Sequence, residues 1–120
     1  MSTRPLEVRV AAALLAATAL AFVALGLARL SDSDAGVLGF PVGMGVIGLL
    51  GAVSVFVGLT RARIPVIVFT VLAAVAHTTF AFGGLPVWYR VASGILAAAH
   101  VYAAVLLLTK PAAEYLKGTT

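Results

Sequence analysis

Apolar residues fill four long stretches of the chain, and charged residues collect only between them. Uncharged runs extend from Val10 to Ala28, Ala35 to Thr60, Ile64 to Tyr89 and Val91 to Thr109. A bilayer core of roughly 30 Å takes about 20 residues of helix, so each run is long enough to cross one. In hydrocarbon every backbone polar group must pair within the protein, which leaves helices and closed barrels as spanning structures. The runs are rich in alanine and lack the alternation of a barrel strand. The pattern therefore predicts an all-α fold, an integral membrane four-helix bundle forming a single domain over 1–120. The spans are expected over about 9–29, 41–60, 64–82 and 87–109, with a short tail over 110–120.

Helix boundaries follow from turn residues. Pro41 suits a first helical turn, where its missing N–H costs nothing, and Pro65 does the same for the third span. Gly83, Gly84 and Pro86 predict a tight hairpin between the third and fourth spans. Pro111–Thr120 is expected either to fray or to form a short interfacial helix, with Ala112, Tyr115 and Leu116 facing lipid and Glu114 and Lys117 facing water.

Composition sharpens this picture. Hydrophobic residues make up 62% of the chain and charged residues 10%, too few to dress a soluble domain in polar surface. Arg4 and Arg9 ahead of an apolar run imitate a secretory signal, but about 19 residues from Val10 to Ala28 exceed an apolar signal core of roughly 7–15. The run is read as a span. With no cysteine there is no disulfide, thiolate nucleophile or cysteine-bound metal. The net charge of +4 is scattered beside apolar runs rather than gathered on a face for nucleic acid.

Those cations predict an orientation. Arg4, Arg9, Arg61, Arg63, Lys110 and Lys117 fall on one side of a four-span chain, and Arg29 and Arg90 on the other. The positive-inside rule then places both termini in the cytoplasm, in a multi-pass protein of the cell membrane. Trp88 and Tyr89 are expected in the outer aromatic belt and Tyr115 at the inner interface.

Packing in lipid relies on small residues. Gly45, Gly48, Gly51, Ser54 and Gly58 are expected to form a stripe on the second span, facing a first-span ridge of Ala13, Ala17, Ala21 and Ala28. Phe22 is left to fill gaps or face lipid. The stripe serves packing inside one chain or between copies.

No Asp, Glu, Lys or Arg lies in the middle of a span, so His77 and His100 are the ionisable residues within the apolar runs. Thr70 and His77 are seven apart, as are Ser93 and His100, and each pair shares a helix face. Folding the hairpin sets His77 level with Ser93, and His100 level with Thr70, so imidazole is expected to meet hydroxyl. Thr78 and Thr79 complete a candidate polar pocket of Thr70, His77, Thr78, Thr79, Ser93 and His100. The two imidazoles are expected about eight residues apart in level, roughly 12 Å, which argues against a shared haem. Two imidazoles without a carboxylate or thiolate also fall short of a usual metal set. Tyr102, about 200° around the helix from His100, points elsewhere.

Two family comparisons bear on this pattern. The small multidrug resistance transporters share its length and span count, but the glutamate of their first span has no counterpart in Val10–Ala28. Phe40-Pro41-Val42-Gly43 with Gly48 and Gly51, and Thr78-Thr79-Phe80, resemble stretches of the bacterial fluoride-channel family, which implies an ion path in a dual-topology dimer. Gly48 stands where that family carries an asparagine, and only Gly26 and Arg29 match its Gly-rich, arginine-containing first-span motif.

No phosphate loop, nucleophile elbow or paired carboxylates occur, and no catalytic, cofactor-binding or metal-ligating residue is assigned. The expectation is a non-enzymatic membrane protein acting through helix packing, as a homo-oligomer or an accessory subunit of a larger complex. The alternative is a small channel or transporter whose path follows His77 and His100.

Overall fold

A computed structural model describes residues 3–31 and 33–117. Its elements are all helical: α1 (Leu6–Ala28), α2 (Gly39–Phe56), α3 (Arg63–Ala81), α4 (Val87–Leu107) and α5 (Lys110–Lys117), with 3₁₀ turns at Arg29–Ser31 and Ala35–Leu38. The first four are long and apolar enough to cross a membrane. α5 forms, but Ala112 and Leu116 are buried against the bundle instead of facing lipid, Leu116 in one cluster with Leu15, Val55 and Leu107; Gly118–Thr120, the end of the expected interfacial helix, lie outside the described residues.

The helices run up and down in an elongated body of 52 × 22 × 18 Å. α1 is the central member, packed against both α2 and α4, while α3 packs mainly on α4 and meets α2 only lightly. Two apolar clusters fill the interior. One, near the chain termini, includes Leu15, Val55, Val66, Leu107 and Leu116; the other, toward the α3–α4 turn, centres on Phe22, Tyr89 and Leu96. Buried polar residues Thr18, Thr70, His77 and His100 lie between them, and Ser93 is buried on α4 beside the second cluster.

Every long helix ends on carbonyls that its own backbone cannot satisfy, and side chains from nearby segments supply donors. Phe56 O at the end of α2 accepts from Arg4 Nε (2.6 Å) and from Tyr115 Oη (3.0 Å). Arg63 Nε donates to Leu107 O (3.0 Å), Arg90 Nε to Ala81 O (2.9 Å) and Ser31 Oγ to Ala28 O (3.3 Å). Cations at these ends also oppose the helix dipole.

The small-residue stripe of α2 divides. Gly45 and Gly48 are buried against α1, where a Cβ would come within 2.8 Å of Val23 Cγ2 and 3.1 Å of Ala19 Cβ, respectively. Gly51 instead faces Val66 of α3, and Ser54 lines the open cleft between α2 and α3. Successive steps of three residues walk about 60° backward around a helix, so positions 45 to 54 cannot share one face. The buried face continues through Ala52 and Val55.

Gly58 lies past the end of α2 with φ of +80°, so the helix stops before the expected Thr60. Gly58 N–H bonds to Val55 O and Leu59 N–H to Ser54 O, a Schellman turn that requires this left-handed residue.

The expected α1 ridge is also corrected. Ala13 and Ala17 are exposed, and Leu15, Ala19, Phe22 and Gly26 turn inward. α1 is enclosed by α2 and α4, and an alanine ridge there would leave the interior hollow where Leu15 and Phe22 now fill it. Tyr89 is buried beneath Arg29, whose guanidinium carbon sits 5.5 Å from the ring centroid, while its neighbour Trp88 is exposed.

Candidate functional site

The polar layer is organised by the direction in which helical side chains lean. A Cα–Cβ bond tilts toward its helix N-terminus. In α3 that direction leads away from the hairpin turn, and in α4 toward it. His77, nearer the turn, therefore leans away from it, while His100 leans back toward it, and the two imidazoles converge. Their centroids are 5.1 Å apart with ring planes 30° from parallel. The level difference read along the backbone is closed by the side chains.

The same tilt separates imidazole from hydroxyl. Thr70 and Ser93 lean away from the histidines that share their levels. Thr70 Oγ1 donates to Val66 O one turn back (2.6 Å), and Ser93 Oγ has no partner among the described residues. The expected pairing across the hairpin is thus replaced by imidazole against imidazole.

His100 is held at both nitrogens. Nδ1 lies 2.8 Å from Leu96 O, a carbonyl that only accepts, so Nδ1 carries the proton of the neutral ring. Nε2 lies 3.4 Å from Thr18 Oγ1 of α1, which is also 3.1 Å from Leu15 O. Thr18 can turn its single proton toward Nε2 or toward Leu15 O. His77 differs: it is fully buried, and neither ring nitrogen has a partner among the described residues. Phe22 meets its ring edge to face at 4.6 Å, with Phe80 at 6.2 Å.

Thr78 and Thr79 fall outside this layer. Both are exposed on the outer side of the hairpin, with hydroxyls bonded to Ala74 O (2.7 Å) and Val75 O (2.9 Å). Of the six expected pocket residues, Thr70, His77, Ser93 and His100 are buried in the interior, and His77 and His100 alone stack on each other. Tyr102 is exposed and points away from them.

Thr18 and Phe22 complete the layer from α1, and spacing within the hairpin could not announce them. A signal existed for Thr18: it is the lone hydroxyl between Val10 and Ala28.

The chemistry open to the layer is narrow. Stacked rings direct their nitrogen lone pairs sideways rather than toward a common point, and a 5.1 Å separation leaves no room for a macrocycle between them. This geometry, not a 12 Å offset, argues against a shared haem. Among the described residues no three His, Cys, Asp or Glu side chains cluster as a metal set.

The openings on the surface are apolar. The largest described, about 440 Å³, runs along the outside of α3 and α4 between Val71, Val75, Thr79, Val101 and Val105. None of the four central polar residues lines it or the cleft of about 210 Å³ between α2 and α3.

No protein-family model, curated protein or solved structure matches the chain.

Proposed function

We propose that the chain is an integral membrane protein, a four-helix bundle of the cell membrane with both termini cytoplasmic, that acts through helix packing rather than catalysis. Large apolar side chains such as Leu20, Leu50, Leu72 and Ile95 project from every long helix, a surface that lipid covers without cost and water does not. Six cations at the end bearing the termini, against Arg29 and Arg90 at the other, support the orientation.

One observation carries the packing reading: the central polar groups are turned inward, and the surface offers grooves walled by Val, Ala and Leu. The groove along α3 and α4 is shaped for an apolar helix, from a second copy or another membrane chain. In that role the stacked histidines fix the register of the α3–α4 hairpin. Purification in a gentle detergent from the native membrane is expected to bring down a stoichiometric partner or a homo-oligomer. Recovery of lone monomers with an intact fold would contradict the reading.

A second reading, a proton or ion path along α3 and α4, is favoured by the nitrogens of His77, which have no partner among the described residues, and by the two-way hydroxyl of Thr18. Flux into proteoliposomes across a pH range, lost in a folded His77→Leu variant, is its signature. Flux equal to that of empty liposomes removes it.

A further inference from the structure

A groove of about 300 Å³ lies between α1 and α2 on the side away from the α3–α4 hairpin. Its walls are Ala12, Ala13, Ala16, Ala52 and Val53, with Phe56 and Arg9 toward the end bearing the chain termini. From Arg9 to Ala16 it follows about two turns of α1, roughly 10 Å. The walls are mostly alanine, so the backbones form a trough that neither helix fills.

The mouth is cationic. Arg9 is exposed and has no carboxylate within ion-pairing distance among the described residues, where Lys110 and Glu114 make the one salt bridge. Arg4 reaches the groove through its lining residue Phe56: its guanidinium carbon is 4.2 Å from the centroid of the Phe56 ring, and Nε is bound to Phe56 O. That bond fixes the guanidinium at the groove and leaves its other nitrogens to an incoming acceptor. Arg61, Arg63, Lys110 and Lys117 belong to the same end, against Glu7 and Glu114. Arg29 and Arg90, at the opposite end, have Asp32 and Asp34 in the adjoining sequence. The chain's excess positive charge thus gathers at this end of the bundle, with Arg4 and Arg9 its members at the groove.

An apolar trough about two helical turns long, opening toward two arginines at the end bearing the termini, is complementary to one kind of molecule. We infer that the α1–α2 groove binds an anionic phospholipid, with its phosphate between Arg4 and Arg9 and an acyl chain along Ala13, Ala16 and Val53. The inference rests on the membrane reading above. With the termini cytoplasmic, the groove opens into the leaflet that carries anionic lipid. A zwitterionic headgroup would bring its own cation to the same mouth and lose the advantage.

Native mass spectrometry of the detergent-solubilised full chain, titrated with phosphatidylglycerol and with phosphatidylcholine of the same acyl chains, tests it. Phosphatidylglycerol is expected to be retained preferentially. Each of Arg4→Gln and Arg9→Gln should lower its retention about fivefold, the weight of one cation near an anionic headgroup. Ala13→Phe, at an exposed position, should fill the trough and displace the lipid with both arginines present, while circular dichroism reports an unchanged helix content. Equal retention of the two lipids, or a preference that survives Arg4→Gln/Arg9→Gln, overturns the inference. Failure of the membrane reading looks different: the chain would then be a folded monomer in buffer without detergent or lipid.

Discussion

His77 and His100 stack at 5.1 Å inside the bundle, yet their surroundings are opposite: among the described residues His100 has a neighbour for each nitrogen, and His77 has none. One ring is anchored to α4 and α1, while the other is wedged between an anchored imidazole and Phe22. Substitutions at the two positions should therefore not be equivalent.

His77→Leu removes two unpartnered polar atoms and keeps a similar volume, so it should alter stability by no more than about 1 kcal/mol and can raise it. His100→Leu breaks contacts to Leu96 O and Thr18 and should cost about 1–2 kcal/mol. Thermal unfolding of both variants in one detergent checks the asymmetry. A larger loss from His77→Leu would show that this ring is held by a partner.

The tautomer of His100 is a separate consequence. With Nδ1 facing a carbonyl, the neutral ring should be protonated at Nδ1 and bare at Nε2, and Thr18→Val should shift the Nε2 resonance alone. Nitrogen NMR of histidine-labelled protein reads both sites. A proton resident on Nε2 with Nδ1 bare would contradict the geometry.

Gly58 and Tyr115 form a second coupled pair. A Cβ at Gly58 would lie 3.0 Å from Tyr115 Oη, on a backbone of φ +80°. Gly58→Ala should cost about 1–2 kcal/mol, and Tyr115→Phe about 1 kcal/mol through the lost bond to Phe56 O. The double variant Gly58→Ala/Tyr115→Ala should lose less than the sum of its single variants, because removing the ring relieves the contact. Strict additivity would mean that the ring does not press on the turn.

Close approach of α1 and α2 depends on Gly48. Gly48→Leu drives a side chain into Ala19 and should cost about 2 kcal/mol or more, whereas Gly43→Ala, with open space at its Cβ, should be neutral or slightly stabilising. Melting temperatures of the two variants separate a packing surface from a mere abundance of small residues.

The helices were legible because their evidence is local: long uncharged runs, Pro41 and Pro65 in first turns, and Gly83, Gly84 and Pro86 at the hairpin. Which face of a helix turns inward was less so. The glycines of α2 suggested one stripe, but steps of three residues carry Gly51 and Ser54 around to α3. Ala13 and Ala17 of α1 face outward because a central helix needs bulk at Leu15 and Phe22. In the polar layer, helical spacing places Thr70 with His77 and Ser93 with His100 on one face each, and all four are buried. It could not show that tilt in antiparallel helices draws the two histidines together and parts them from the hydroxyls. Nor could it reveal that Arg4, Arg63 and Arg90 close helix ends, since that role depends on partners 52, 44 and 9 residues away in the chain.

The central claim is that four helices cross a bilayer with both ends on the cytoplasmic side, and the absence of native cysteine makes it directly measurable. Single cysteines at Thr3, Ser33, Gly84 and Lys117, and within spans at Leu20 and Leu72, can be treated with a membrane-impermeant maleimide before and after permeabilisation. Ser33→Cys and Gly84→Cys should react in intact cells, Thr3→Cys and Lys117→Cys only after permeabilisation, and Leu20→Cys and Leu72→Cys in neither case until the protein is denatured. Ready labelling of Leu20→Cys and Leu72→Cys in the folded protein, or labelling of Thr3→Cys from outside intact cells, would contradict the account.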